Sequence, residues 1–375
     1  MENERLYQLA LSRVEGIGPV LAKRLIEHVG DVATIFRTSQ ATLEKVPGIG
    51  ENKAGEILHF NRFSQLEKEL AFWEKFAIRP LFYTDKDYPQ HLLSHSDAPI
   101  LLFYKGNADL NAPRVISVIG TRNPTDHGRQ VTDMLIRELV FPGVLILSGL
   151  AYGIDAASHS AALKYGLPTV GVLGHGLDRI YPSQHRKLAI EMVNNGGLLT
   201  EYCTQTKPDT HNFPNRNRIV AGMCDALVVV ETDLRGGSLI TVENALKYGK
   251  KIFAIPGRIT DSKSSGCNRL IQTGQAAFLT SGRQLMETMG WVPPPGKPIA
   301  QQVSLFSDPD PASPAHLSHD EAILLDLIRD KGALSVDELA ANASLNNNLV
   351  GSLLLNLELT GFVTAMPGRV YRLTE

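Results

Sequence analysis

Val115-Ile116-Ser117-Val118-Ile119-Gly120-Thr121-Arg122 decides how the chain reads. A short run rich in β-branched residues passes directly into a loop holding a glycine and an arginine. Apolar residues at nearly every position of such a run suit a strand buried on both faces. Similar runs occur at 144–147, 169–173, 198–200, 226–230, 251–255 and 277–279. Between the first two strands, Val131, Met134, Leu135 and Leu139 recur at i, i+3, i+4 and i+8, which predicts a helix covering the sheet. Repeated strand–helix alternation implies parallel crossovers, so the expected fold is α/β, a Rossmann-like doubly wound parallel sheet.

In such a sheet a ligand sits outside the carboxyl ends of the strands, so loops that follow strands converge on one edge. Here those loops contain Gly120-Thr121-Arg122, Ser148-Gly149-Leu150-Ala151-Tyr152-Gly153-Ile154-Asp155, Gly174-His175-Gly176-Leu177-Asp178, Phe213-Pro214-Asn215-Arg216-Asn217-Arg218 and Gly236-Gly237-Ser238-Leu239-Ile240-Thr241. Glycine admits close approach of backbone N–H groups to an anion, and helix N-termini and guanidinium groups supply positive potential. The edge therefore reads as a phosphate-binding surface. Its candidate residues are Gly120, Arg122, Ser148, Gly149, Gly153, Phe213, Arg216, Asn217, Arg218, Gly237 and Ser238. Each arginine has an alternative role in an ion pair within the domain, and Phe213 can stack on an unpaired base or simply pack. Asp155 can cap the helix that follows Gly153 or repel a phosphate placed near it.

With 37 basic and 39 acidic residues the whole chain has a formal net charge of −2, which argues against a general polyanion binder. The distribution is uneven. Residues 111–290 carry 19 basic against 14 acidic residues, residues 1–62 carry 8 of each, and residues 317–375 carry 4 against 8. The basic excess lies where the loops are. Cys203, Cys224 and Cys267 are odd in number and too widely spaced for a zinc-ligand pair, which fits a reducing cytoplasm. The charged N-terminus leads into no long apolar run, so neither a secretory signal nor a membrane anchor is expected.

Residues 1–64 contain an internal repeat. Gly16-Ile17-Gly18 precedes Ala22, and Gly48-Ile49-Gly50 precedes Ala54 at the same offset, each followed by an apolar helical pattern. The segment looks like a tandem helix-hairpin-helix, whose glycine turns either offer amides to DNA phosphates or serve a module for protein contacts. Residues 65–110 read as a connecting segment packed on the core, with a helix through Leu66, Leu70, Trp73 and Phe76. Residues 291–316, rich in Pro, Ser and Asp, read as a linker. Residues 317–375 read as a winged helix: an apolar stripe at Ile323, Leu324, Leu327 and Ile328, a capping box at Ser335 to Glu338, a second stripe at Leu349, Leu353, Leu354 and Leu357, and a hairpin around Met366-Pro367-Gly368-Arg369. Its acidic balance and an asparagine-led third helix without Lys or Arg favour protein contact over duplex binding.

Common catalytic signatures are missing. Gly-x-Gly-x-x-Gly, the P-loop pattern, Gly-x-Ser-x-Gly and His-Glu-x-x-His do not occur, and no cofactor or metal is expected. The ordered set Val118-Ile119-Gly120-Thr121-Arg122, Ser148-Gly149-Leu150-Ala151 with Gly153-Ile154-Asp155, Tyr181-Pro182, Phe213-Pro214 with Arg216-Asn217-Arg218-Ile219, Gly237-Ser238-Leu239-Ile240-Thr241 and Ala254-Ile255-Pro256-Gly257 resembles the DNA-processing protein A (DprA or Smf) family. The resemblance implies a non-enzymatic, dimeric, cytoplasmic protein that binds single-stranded DNA and helps load the RecA recombinase during natural transformation. One position departs: the family usually has arginine where this chain has Tyr152. A second reading comes from Gly236-Gly237-Ser238-Leu239-Ile240-Thr241-Val242-Glu243, which resembles the Gly-Gly-x-Gly-Thr-x-x-Glu loop of nucleoside 5′-monophosphate phosphoribohydrolases, though Leu239 replaces a glycine and the threonine is displaced by one.

Overall fold

The structure, a computed structural model, describes residues 2–292, 317–366 and 368–374. The chain divides into two compact units, Met1–Pro295 and Gly296–Glu375. In the first, nine strands form one sheet: β1 (Arg79–Phe82), β2 (Leu101–Gly106), β3 (Arg114–Ile119), β4 (Val144–Ser148), β5 (Thr169–Leu173), β6 (Gly196–Thr200), β7 (Ala226–Val229), β8 (Lys251–Ala254) and β9 (Ala277–Phe278). Their order is β1-β2-β6-β5-β4-β3-β7-β8-β9. From β6 through β9 every pairing is parallel. The order reverses between β3 and β7, because the chain builds outward from β3 through β4, β5 and β6 before returning to place β7 on its other side. That is the topological switch point, where a crevice opens at the carboxyl edge.

Side chains of the central strands alternate between two cores. Val115, Ile119, Leu145, Leu147, Leu227 and Val229 join Ile219, Val220 and Met223 of helix Asn212–Met223 and Val242 and Ala245 of helix Ser238–Lys247. Ile116, Val118, Ile146, Ala226 and Val228 join Leu135 and Ile136 of helix Asp126–Glu138 and Ile154, Ala161 and Ala162 of helix Ile154–Lys164. The period of two places successive residues on opposite faces, and helices on both faces explain why the strands read as continuous apolar runs. Each fully buried Leu, Ile or Val contributes about 1.5–3 kcal/mol relative to exposure.

The segment 65–110 differs from its expected part as a connector. It supplies β1 and β2, which extend the sheet antiparallel beyond β6, with Phe103 opposite Thr200 and Tyr104 opposite Leu199. Leu101-Leu102-Phe103-Tyr104 is buried throughout, and its outward residues enter the same core as the N-terminal helices. In that N-terminal module Ile17 and Ile49 of the two glycine turns are buried together with Ala22, Leu25, Ala54 and Ile57. Lys23 donates to the carbonyls of His95 and Ser96 at 3.2 and 3.5 Å, so the first hairpin is turned toward the sheet segment. Trp291 and Val292, expected in the linker, pack against the sheet core instead. Its remainder, residues 293–316, lies outside the described residues.

The second unit has helices His319–Lys331, Val336–Ala343 and Asn347–Leu359 and strands β10 (Leu334–Ser335), β11 (Val363–Met366) and β12 (Val370–Leu373), ordered β10-β12-β11. Ser335 and Glu338 make both bonds of the expected capping box, and Ser318 and Glu321 make another. The third helix turns differently from its expected stripe. Val350, Leu354 and Leu357 are buried at i, i+4 and i+7, while Leu349 is exposed.

Candidate nucleic-acid interface

At the switch point lies a cleft of about 550 Å³, lined by residues from the loops after β3, β4 and β7 and from helix Asn212–Met223. The loop after β3 is braced on both sides: Thr121 donates its N–H to the carbonyl of Glu231 at 2.7 Å and accepts from Ile154 N–H at 3.2 Å. The buried Glu231 carboxylate holds the far end of this loop, accepting from Thr125 N–H at 2.9 Å and Thr125 Oγ1 at 2.5 Å. Gly120 stands where a Cβ would meet Ile154. The rigid loop leaves Arg122 exposed, with its guanidinium 5.7 Å from the centroid of the half-buried Phe213 ring. Tyr181, 48% exposed, lies against the same ring with centroids 5.8 Å apart. A cation over an aromatic face and two neighbouring rings form a platform that accommodates a phosphate and an unpaired base.

The loop after β4 does something different from what its glycines suggest. Ser148 is fully buried and donates to the carbonyl of Val118 at 2.6 Å. The N–H groups of Gly149 and Ala151 donate to Asp155 at 3.1 and 3.3 Å, so the turn already holds an anion, the protein's own carboxylate. Burial raises the Asp155 carboxyl above its ordinary value, against the pull of Arg216 and these amides. Gly149 and Gly153 serve packing: a Cβ on Gly149 would strike the Arg216 guanidinium, and Gly153, at φ +85°, abuts the backbone of Thr121 and Arg122.

The two arginines of the next motif are used internally, a correction to the expectation that they present themselves to a ligand. Arg216 is 4% exposed and donates through Nη1 to the carbonyls of Gly149, at 2.5 Å, and Val172, while its Nε donates to Asn217 at 3.1 Å. Burial lowers its pKa to about 10, with Asp155 opposing, so it stays charged at neutral pH beneath the cleft. Arg218 pairs with Glu201 and donates to the carbonyl of Asp97 at 2.8 Å. Of the two, only Arg216 lines the cleft. Asn217, Gly237 and Ser238 line it too. Ser238 donates to Thr232 Oγ1 at 2.7 Å and begins a helix whose first-turn N–H groups lack intrahelical partners. Gly237 has open space where a Cβ would stand and no positive φ, so neither packing nor conformation requires glycine there.

Tyr181, quoted in the sequence only as part of the Tyr181-Pro182 motif, also lines the cleft, as do Asn123, Thr210 and Lys263, which the sequence did not single out. Lys263 pairs with Asp233 at 2.9 Å. Its position in the loop-to-helix turn after β8, one strand from the switch point, is the signal that could have found it. Glu243, the carboxylate that the phosphoribohydrolase reading depends on, is exposed and does not line the cleft. Among the described residues no group of three His, Cys, Asp or Glu side chains is arranged to hold a metal ion, and no helix is long and apolar enough to cross a membrane.

Comparison with known proteins agrees with this geometry. The sequence matches the family model of DNA recombination-mediator protein A over residues 79–290, that of the SAM-like helix-hairpin-helix tandem over residues 9–59, and that of the DprA winged helix domain over residues 308–369. Protein Smf of Synechocystis sp. is 37% identical over 301 residues, covering 78% of this chain and 74% of its own. DNA processing protein DprA of Streptococcus pneumoniae is 42% identical over 223 residues, covering 60% and 77%. The X-ray structure of the S. pneumoniae protein superposes with a TM-score of 0.64 at 35% identity, covering 76% of this chain and 97% of that one. A structure of the Helicobacter pylori protein, determined for its single-stranded DNA binding mode, superposes with a TM-score of 0.53 at 32% identity, covering 58% and 97%. With the family model matching the whole sheet domain, residues 79–290, and a relative 37% identical over 78% of the chain, the chain belongs to the DNA-processing protein A family.

Proposed function

We propose that this chain binds single-stranded DNA in the switch-point cleft, without catalysing a reaction, and delivers the strand to the RecA recombinase for homologous recombination during natural transformation. The observation that carries the reading is Arg122 poised over the Phe213 ring beside Tyr181, a cation and two rings on a braced loop. A duplex has its bases stacked inside and gains nothing from such a platform, whereas an unpaired base does. The H. pylori relative, whose structure concerns single-stranded DNA binding, supports the same ligand here.

The proposal includes a homodimer in the cytoplasm. Ile259 and Phe278, 96% and 49% exposed on the β8–β9 side of the sheet, offer apolar area for a second copy to cover. In the proposed division of labour, residues 111–290 hold the strand, while 1–64 and 317–375 serve contacts outside the cleft. The test is binding of a labelled oligonucleotide, single-stranded against duplex, at several salt concentrations. Preference for the single strand with a linear salt dependence is expected. Equal affinity for duplex would remove the reading. Sedimentation equilibrium checks the dimer, and RecA filament assembly with and without the protein checks delivery.

A further inference from the structure

A groove of about 710 Å³ runs beside the cleft, between helix Ile154–Lys164 and helix Arg186–Asn194. Arg122 and Asn123 line both cleft and groove, so the two are continuous. The floor is made of small residues, Ala156 and Ala157, and the walls carry Arg129, Tyr152, His185, Lys187 and Glu191. The cations here are loosely held. Arg129 is 3.8 Å from an Asp126 carboxylate that is 98% exposed, and Lys187, itself 92% exposed, is 4.0 Å from Glu191. Such solvent-exposed pairs contribute little and yield readily to a phosphate.

Tyr152 stands at the junction. Its ring is 41% exposed, its hydroxyl donates to Gln184 Oε1 at 2.7 Å, and its edge meets the His185 ring at 5.2 Å and 69°. The ring is thus oriented from two sides while keeping area open to the groove, as a stacking platform requires. We infer that a single strand held in the cleft continues over Tyr152 into this groove, which takes the next two or three nucleotides, roughly, stacking one base on Tyr152 and placing phosphates against Arg129 and Lys187. The inference rests on the reading of the cleft as a single-strand site.

The test uses the full chain and oligothymidylates of about four and about twelve residues, the short one filling the cleft alone. Lys187→Glu and Arg129→Ala are expected to weaken the long oligonucleotide by a factor about fivefold greater than the short one. Arg129→Ala should also flatten the salt dependence of the long one by about 0.7 in log–log slope. Tyr152→Ala is expected to weaken the long one with the slope retained. Equal losses on both lengths, or no loss on either, would overturn the groove. Arg122→Ala separates the two readings: weakening on both lengths keeps the cleft whatever the groove variants do, and no effect on either removes cleft and groove together. Both substituted cations are exposed, so each variant is expected to melt with the parent.

Discussion

Arg216 donates through Nη1 to the carbonyl of Gly149 at 2.5 Å, joining helix Asn212–Met223 to the loop after β4 beneath the floor of the cleft. A charge in this position ties the helix to the loop after β4 and, through the Val172 carbonyl, to β5, and keeps the buried Asp155 carboxylate compensated.

Arg216→Ala is therefore expected to act on stability first. Removing one partner of a buried charged set strands the other and leaves two carbonyls without their donor, at a cost of about 3–5 kcal/mol. Urea denaturation followed by circular dichroism measures it. A variant as stable as the parent, with only its DNA affinity reduced, would return Arg216 to the role of phosphate ligand.

Arg122→Ala should leave stability within about 0.5 kcal/mol, since the side chain is exposed. It should weaken single-strand binding alike across base compositions and reduce the log–log salt slope by about 0.7. Phe213→Ala should cost about 1–3 kcal/mol of binding with little change of slope. Because the cation rests over that ring, the double variant should lose less than the two single losses combined, by about 0.5–1 kcal/mol. Fluorescence anisotropy titrations over a range of salt give all three quantities.

Two glycines of the same edge should respond in opposite ways. Gly153→Ala forces a Cβ into the backbone of Thr121 and Arg122 at a positive φ, and is expected to destabilise by about 2 kcal/mol or more. Gly237→Ala meets open space and should fold with stability within about 1 kcal/mol of the parent. If a strand passes close to that backbone, the methyl group instead lowers DNA affinity, which a binding titration on the well-folded variant detects.

Stability should fall with acid through His159. Its Nδ1 lies 2.6 Å from Thr169 Oγ1, whose proton goes to the Ile146 carbonyl, so Nδ1 carries the ring hydrogen and the buried Nε2 has no partner. Burial first, then the charges of His185 and Arg216, push its pKa from 6.5 down to about 3. The folded state thus resists protonation while the unfolded state accepts it. The contribution is whole above about pH 6.5 and is lost progressively toward pH 3, reaching about 5 kcal/mol. In a series of urea melts from pH 7 to 4, His159→Asn should start lower and vary less steeply than the parent. An identical slope would place the acid sensitivity elsewhere.

Much of this protein was legible in its sequence because local rules settle it. Strands buried on both faces must be apolar throughout, so β3 to β8 stand out, and their alternation with helical stripes implies parallel crossovers and hence the edge at which loops gather. The capping box at Ser335 and the paired glycine turns at Gly16 and Gly48 are likewise short-range patterns. Strands β1 and β2 were not legible, because Pro99 and the turn residues around them mask two short runs, and the partner of β2, β6, lies about a hundred residues away.

Which residues of the edge face a ligand was decided only by the tertiary structure. Arg122, Arg216 and Arg218 look alike in sequence, yet one is exposed over Phe213, one lies under the floor between the loop after β4 and strand β5, and one is paired with Glu201. Composition places a positive charge near the edge. Its direction depends on which carbonyls and carboxylates the remote strands bring within hydrogen-bonding distance, since a buried guanidinium must be satisfied locally or leave the interior. For the same reason the Ser148–Gly149 turn, which reads as a cradle for phosphate, is closed by the Asp155 carboxylate that the fold returns to it.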